Sequence, residues 1–406
     1  MTAGEALRAR SAPGSVAMPE RPPMLAPPYR IAYVIGELTK GGAEYQLHEL
    51  LRHLDRRLFA PCVFALVGGG WWAEAIRRLG IRVEEIPRRG SGDVWRLARL
   101  RARLRAFAPD VLHTILWPGN SYGRMAALGL GIPVVIAAER NVVTYRHWQV
   151  LLERVLGRTT DAYLVNCEAI ACWLVEHERL AREKMHVVPN GIDLTRLPAF
   201  SLDRQAARAA AGLEPERRLV AHIGRLEPQK DFSSFLRAAA MVADELPDVD
   251  FLVVGEGGER TTLEALAARL GLGARVRFTG LRHDVPALLA GVDVLALTSL
   301  FEGFPNVVLE AMATGAIAVA TDVGGCWELL VPDETGILVP PRAPEAVASA
   351  VLRVLSDPIL SRRLAAAARR RVETAFGVDL MAERTVATYL TLLGAKRARR
   401  PPAEGG

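Results

Sequence analysis

The sequence predicts an α/β protein built from two doubly wound domains that face a central cleft. Three observations lead there. Apolar strand-like runs alternate with helical patterns along almost the whole chain. The connections are short, which makes neighbouring strands parallel, with helices covering both faces of each sheet. And 406 residues are too many for one ordinary domain and comfortable for two.

In the first half the strands are predicted at Ile31–Ile35, Cys62–Val67, Val83–Ile86, Val111–Thr114, Val134–Ala137, Ala162–Val165 and His186–Val188. Helical periodicity fills the gaps near 43–54, 71–79, 93–107, 120–129, 146–158 and 168–178. In the second half the strands fall at Leu219–Ile223, Phe251–Val254, Val276–Phe278, Val294–Leu297, Ala316–Ala320 and Gly336–Val339. Helices near 232–245, 259–270, 284–290, 306–314, 343–355 and 358–375 separate them. The seam lies in 194–217, where Pro198 and Pro215 flank a short charged helix. This divides the chain into residues 29–198 and 199–377, with a last helix at 378–395. Residues 1–28 mix Pro, Ala, Gly and Arg without periodicity and read as a disordered arm, or as an extension upstream of Met18 or Met24.

Composition narrows the class. Half the residues are hydrophobic and 24% are charged, as in a globular protein. No apolar run is long enough to cross a bilayer, and the start lacks an apolar signal region. The four cysteines, Cys62, Cys167, Cys172 and Cys326, have neither metal nor redox spacing, which fits reduced thiols in a cytoplasmic protein. Lys and Arg number 51 against 45 Asp and Glu. The net charge of +6 is mild, and nucleic acid is not an expected partner.

Ligands of open parallel sheets bind beyond the carboxyl ends of the strands, so the informative loops follow strands. The first holds the pair Gly41-Gly42 before a helix, a place where backbone can approach phosphate. It reads equally as a plain turn, and its spacing is not Gly-x-Gly-x-x-Gly. His113 ends the fourth strand, where a lone His is more often structural. Asn120 is expected to cap the next helix. Glu139, Arg140 and Asn141 end the fifth strand and read equally as an acceptor site or a solvated loop. Pro189-Asn190-Gly191 is a tight turn near the seam. In the second half Arg225 and Lys230 place two cations on one loop, suited to phosphate. Gly255 follows the next strand, and Leu281-Arg282 the one after. Asp248 and Asp250 start a strand, the wrong end for a metal site. Gly324-Gly325 and Glu328 follow the penultimate strand.

The most telling stretch runs from Glu302 to Glu310. Gly303-Phe304-Pro305 interrupts an apolar region before a helix. Pro305 suits the first turn, which leaves the N–H groups of Asn306, Val307 and Val308 as a phosphate seat beside two carboxylates. Such a seat suits a sugar nucleotide.

Together, residues 30–390 resemble the retaining GT-B glycosyltransferases of family 4. The resemblance is carried by Gly41-Gly42-Ala43-Glu44, Pro189-Asn190-Gly191-Ile192-Asp193, Gly224-Arg225 with Lys230-Asp231, Glu302 and Glu310 at a Glu-x7-Glu spacing, and Gly324-Gly325 with Glu328. It implies transfer of a hexosyl unit from a UDP- or GDP-sugar to a glycan or lipid-linked acceptor of the cell surface, without a required cofactor or metal. It also implies roles. Arg225 and Lys230 hold the leaving diphosphate, Glu302 the sugar, and Glu310 the ribose. Gly41, Gly42, Gly255, Leu281, Arg282, Gly303, Phe304, Asn306, Val307 and Val308 frame the donor. His113 joins the catalytic set as a hydrogen-bonding group. Members often carry a second His two places on, where this chain has Ile115, so direct catalysis by His113 is weakened. The last helix is expected to cross back onto the first domain.

Three alternatives accompany this reading, the first being a catalytically inactive binding module, against which intact Glu302, Glu310, Arg225 and Lys230 argue. A sugar-nucleotide epimerase would share the fold and phosphate seat. A nicotinamide oxidoreductase would need the missing glycine fingerprint. Finally, the Arg88–Arg105 region opposes Arg96, Arg99 and Arg103 to Leu97, Leu100, Leu104 and Phe107. It reads as an amphipathic surface helix or as a contact for anionic lipid, with Trp71-Trp72 as an anchor and the protein peripheral on the membrane's inner face.

Overall fold

The computed structural model describes residues 28–39, 41–90, 92–141, 146–198, 204–210 and 212–398. The arm expected at 1–28 falls, but for Pro28, outside the described residues. Seven strands build the first sheet: β1 (Tyr29–Ile35), β2 (Phe59–Ala65), β3 (Arg82–Glu85), β4 (Val111–Ile115), β5 (Val134–Glu139), β6 (Ala162–Val165) and β7 (Met185–Val187). Their order is β3-β2-β1-β4-β5-β6-β7. Six build the second: β8 (Arg218–Ile223), β9 (Val249–Val254), β10 (Val276–Gly280), β11 (Val294–Leu297), β12 (Ile317–Thr321) and β13 (Ile337–Val339). They run β10-β9-β8-β11-β12-β13. Neighbouring strands pair in parallel in both sheets.

Each order reverses once, between β1 and β4 and between β8 and β11. Those are the places where a doubly wound sheet opens a crevice. Nearly continuous Val, Ile, Leu and Ala runs make the central strands, because helices bury both faces. One apolar cluster joins the domains. Cys167 and Ile170 of the first pack with Phe304, Cys326 and Leu329 of the second.

The last helix, Val378–Ala398, returns to the first domain. Val378, Met381, Tyr389 and Leu393 join its core. The Tyr389 hydroxyl lies 3.2 Å from that of Tyr33 and 2.6 Å from Nδ1 of His113.

Several local expectations need correction. The helix expected at 120–129 is Leu116–Ala127. Pro118 in its first turn loses no bond, so the helix starts before Asn120. Asn120 is therefore no cap. It is buried, donates to the Ala138 carbonyl at 3.1 Å, and accepts from Thr114 Oγ1 at 2.6 Å.

Arg96 does not face solvent with the other arginines. It is buried, donates to the Ile86 and Leu66 carbonyls, and lies over the Tyr122 ring. Arg99 grips Asp93, and Arg101 donates to the Ala126 carbonyl. Arg88, Arg89, Arg103 and Arg105 remain exposed. Trp72 packs on Tyr45 and His48 in the first domain. Trp71, half-exposed, stacks on His283 of the second. Neither is a free membrane anchor.

Candidate active site

The cleft is lined by loops that leave the carboxyl ends of β1, β4, β5, β8, β11 and β12. On the second domain, the loop after β8 turns through a short 3-10 helix, Pro228–Lys230. This carries Lys230 to Glu302, with Nζ 2.5 Å from Oε1. The Ser299 hydroxyl donates to the same oxygen at 2.6 Å. Glu302 is buried, so its charge needs these partners. Arg225, on the same loop as Lys230, is exposed, and the backbone of Gly255 lies against the Gly224 carbonyl beside it.

The helix Asn306–Thr314 follows, with Pro305 as the residue before its first turn rather than within it. The Val308 N–H bonds to the Pro305 carbonyl at 3.1 Å. The seat expected at Asn306, Val307 and Val308 therefore narrows to the first two. Val307 is partly buried and Val308 fully so. Glu310 sits one turn on. Burial pushes its carboxyl up to about 7. Phe304 packs its ring on Phe376 in the apolar cluster that joins the domains, and its carbonyl accepts from Asn190. Leu281 is half-exposed at the mouth of the second domain, and Arg282 is fastened to Asp284.

The two walls meet through side-chain amides. Gln46 donates to the Gly191 carbonyl at 2.9 Å and to Asn306 Oδ1 at 3.2 Å. Asn190 donates to Asn306 Oδ1 at 2.8 Å and to the Phe304 carbonyl at 3.1 Å. Asn306 donates to the Gly42 carbonyl at 3.3 Å. Gly41 and Gly42 thus open their helix directly against the start of the Asn306 helix. A Cβ on Gly303 would lie 2.1 Å from the Arg140 carbonyl oxygen, so only glycine lets the loop come this close.

On the first domain, Arg140 donates to Asn190 Oδ1 at 2.8 Å. Burial lowers its basicity to about 10. His113 is buried, and burial followed by the charge of Arg140 lowers it to about 3, so it is a neutral imidazole. Among the described residues, His113 Nε2, Arg140 Nε, Asn141 Oδ1 and Asn166 Oδ1 are buried without a protein partner. Asn166 also reaches the Arg140 carbonyl at 3.5 Å. A donor, two acceptors and an adaptable ring nitrogen suit a hydroxyl-rich ligand.

Glu139 is not part of that wall. Glu139 is the last residue of β5, and Arg140 begins the loop beyond it. Glu139 is buried behind the sheet, bonded by Asn120 Nδ2 at 2.6 Å. Burial and then the neighbouring Glu153 push it up to about 8. Asp248 and Asp250 pair with Arg218 and Arg217 at the amino end of β9. Gln46 and Ser299 escaped sequence reasoning, because neither residue type marks a site. Glu44 was legible only as part of the glycine loop. It is buried at the start of its helix, within electrostatic reach of Arg140 and Arg225.

Known proteins place this architecture. The family described as Glycosyl transferases group 1 matches residues 203–371, and Glycosyltransferase Family 4 matches 40–196. The D-inositol 3-phosphate glycosyltransferase of Segniliparus rotundus is 32% identical over 336 residues, covering 77% of this chain and 73% of the relative. The 2-deoxystreptamine glucosyltransferase of Streptomyces kanamyceticus is 31% identical over 268 residues, covering 65% and 66%. Among solved structures, Anabaena HepE in complex with UDP and glucose superposes with a TM-score of 0.80 at 24% identity, over 89% of this chain and 99% of that one. Sucrose-phosphate synthase of Thermosynechococcus elongatus gives 0.77 at 21%, over 90% and 100%. The fold is GT-B, and the epimerase and oxidoreductase alternatives fall away. The chain belongs to the family 4, group 1 glycosyltransferases and is an enzyme of that transferase class.

Proposed function

We propose that the enzyme moves a hexosyl unit from a UDP- or GDP-sugar to an acceptor hydroxyl, keeping the anomeric configuration. The observation that carries this is the Lys230–Glu302–Ser299 cluster beside the start of the Asn306 helix. It sets a cation, a fastened carboxylate and a helix N-terminus within one loop pair. In this reading Arg225 and Lys230 take the diphosphate and neutralise charge growing on it as the sugar departs. The N–H groups of Asn306 and Val307 assist. That positive charge serves in place of a metal, and no cofactor is needed. Glu302 accepts from sugar hydroxyls and Glu310 from the ribose. Glu302 already engages Lys230 and Ser299, which suits holding better than covalent attack. Leaving and entering groups then share one face, and the departing phosphate takes the acceptor's proton. Solved relatives carrying UDP and UDP-glucose support the donor class.

For the acceptor we favour a lipid-linked or growing cell-surface glycan. The helix His147–Gly157 supports a membrane location. Trp148, Leu151 and Val155 are 58%, 63% and 49% exposed on one stripe, and every exposed ionisable residue from 146 to 158 is basic or His. A phosphorylated cyclitol is the second reading. It is favoured by the names of the relatives and by the Arg140 Nε without a protein partner. A thermal-shift panel of nucleotide sugars tests the donor class, since a bound donor raises the melting point. NMR of the product anomer tests retention. No shift with any nucleotide sugar, or an inverted product, overturns the corresponding half.

A further inference from the structure

Glu328 sits in the short helix Cys326–Leu329, just past Gly324–Gly325 of the second domain. Its carboxylate crosses to the first. The Glu168 N–H donates to one oxygen at 2.9 Å and the Ala169 N–H to the other at 3.0 Å. These are the first two N–H groups of the helix Glu168–Glu178, and its own cap position, Cys167, makes no side-chain cap bond. A first-domain helix is therefore capped by an anion from the second domain, charge-assisted and aligned with the helix dipole.

The same junction holds the donor loop. The Gly325 N–H donates to the Gly303 carbonyl at 2.7 Å, and Cys167 Sγ reaches that carbonyl at 3.5 Å. Gly324, at φ +52°, lies so close to the Glu302 carbonyl that a Cβ would sit 1.7 Å from its oxygen. Glu328, Gly324–Gly325, Gly303 and Glu302 thus form one packed unit between the domains.

We propose that Glu328 is a positioning residue that couples closure of the cleft to the placement of Glu302. Its cap exists only while the domains are together. Parting them leaves two helix N–H groups and a carboxylate to water, and releases the loop that carries Glu302. The inference rests on the donor-site role of Glu302 given above, but not on the nature of the acceptor.

Two substitutions test it from opposite domains. Glu328→Gln keeps the volume and loses one of the two accepting oxygens. Glu168→Pro removes one donor from the other side. Proline is favoured at a first helical position, and Cys167 already has the extended backbone, φ −156° and ψ 159°, required before it. Glu168→Ala is the control, because it keeps the N–H while dropping the pairing with Arg182. Turnover is read as release of nucleoside diphosphate from the donor identified by the thermal panel, and affinity as UDP or GDP binding by calorimetry. Glu328→Gln and Glu168→Pro should each lower kcat about tenfold, with nucleotide Kd little changed, since Arg225, Lys230 and Glu310, the side chains proposed to grip the nucleotide, all lie on the second domain. The double variant should fall no further than either single one, and Glu168→Ala should stay within about twofold of wild type. Unchanged kcat in folded Glu328→Gln and Glu168→Pro overturns the coupling, and so do additive losses. Absence of nucleotide binding to the wild type would instead overturn the donor site itself.

Discussion

Lys230 and Glu302 show why the proposed donor side was legible by residue type, while their partner Ser299 and the opposite wall were not. Charged residues after strands announce themselves by type and place. Glu302 and Lys230 stand 72 positions apart and still touch. Replacing Lys230 or Arg225 by Ala should lower kcat by roughly 100- to 1,000-fold, the scale of losing one electrostatic stabiliser. Steady-state turnover checks this, and near-wild-type rates in both variants contradict it. Glu139 was misplaced because, as the last residue of β5, it is buried against Asn120, while Arg140 starts the loop that reaches Asn190. Its burial gives a pH prediction. Glu139 is raised from 4.5 to about 8. An acid raised on folding contributes stability fully present below about pH 4.5, which is lost as pH rises through about 8. Glu139→Gln removes that loss. Its melting point at pH 8 should exceed that of the wild type by roughly 2–4 °C, and the gap should close near pH 5. Calorimetric melting at the two pH values decides it.

At the scale of elements, every strand the pattern predicted is present, within a few residues at each end. Long Val-Ile-Leu runs between short turns leave little else for the chain to form. The misses came where one local feature outweighed the period. Pro118 allowed a helix to begin four residues before Asn120, and Arg96 turned inward to satisfy two carbonyls. Packing between elements could not be read at all. The contact of Gly303 with the Arg140 loop joins residues 163 positions apart. Gly303→Ala puts a methyl into that carbonyl, so the cleft must open. We expect at least tenfold lower kcat with the second domain still folded and binding nucleotide. Unimpaired turnover would show that the approach is not needed. The exposed stripe of the helix His147–Gly157 carries a separate expectation. Vesicles containing phosphatidylglycerol should bind the protein at low salt, Leu151→Asp should abolish binding, and Trp95→Ser, at an exposed residue of the separate helix Trp95–Phe107, should not. Sedimentation with such vesicles reads the result, and failure of the wild type to bind removes the membrane location.

The molecule as a whole is two crevices facing each other, tied by the amides of Gln46, Asn190 and Asn306 and by Glu328. The last helix completes the first domain by setting Tyr389 on Tyr33 and His113. Tyr389→Phe removes a buried hydroxyl shared by both. It should cost about 1 kcal/mol in urea melts, with little change in nucleotide affinity. Arg225, Lys230, Glu302 and Glu310 are proposed to make a nucleotide-sugar seat on the second domain. Calorimetric titration of wild type and Lys230→Ala with UDP- and GDP-sugars tests it most directly. Saturable one-site binding of at least one of them is expected, weakened about 100-fold in the variant. Equal binding by both proteins, or none by the wild type at millimolar concentration, would contradict it.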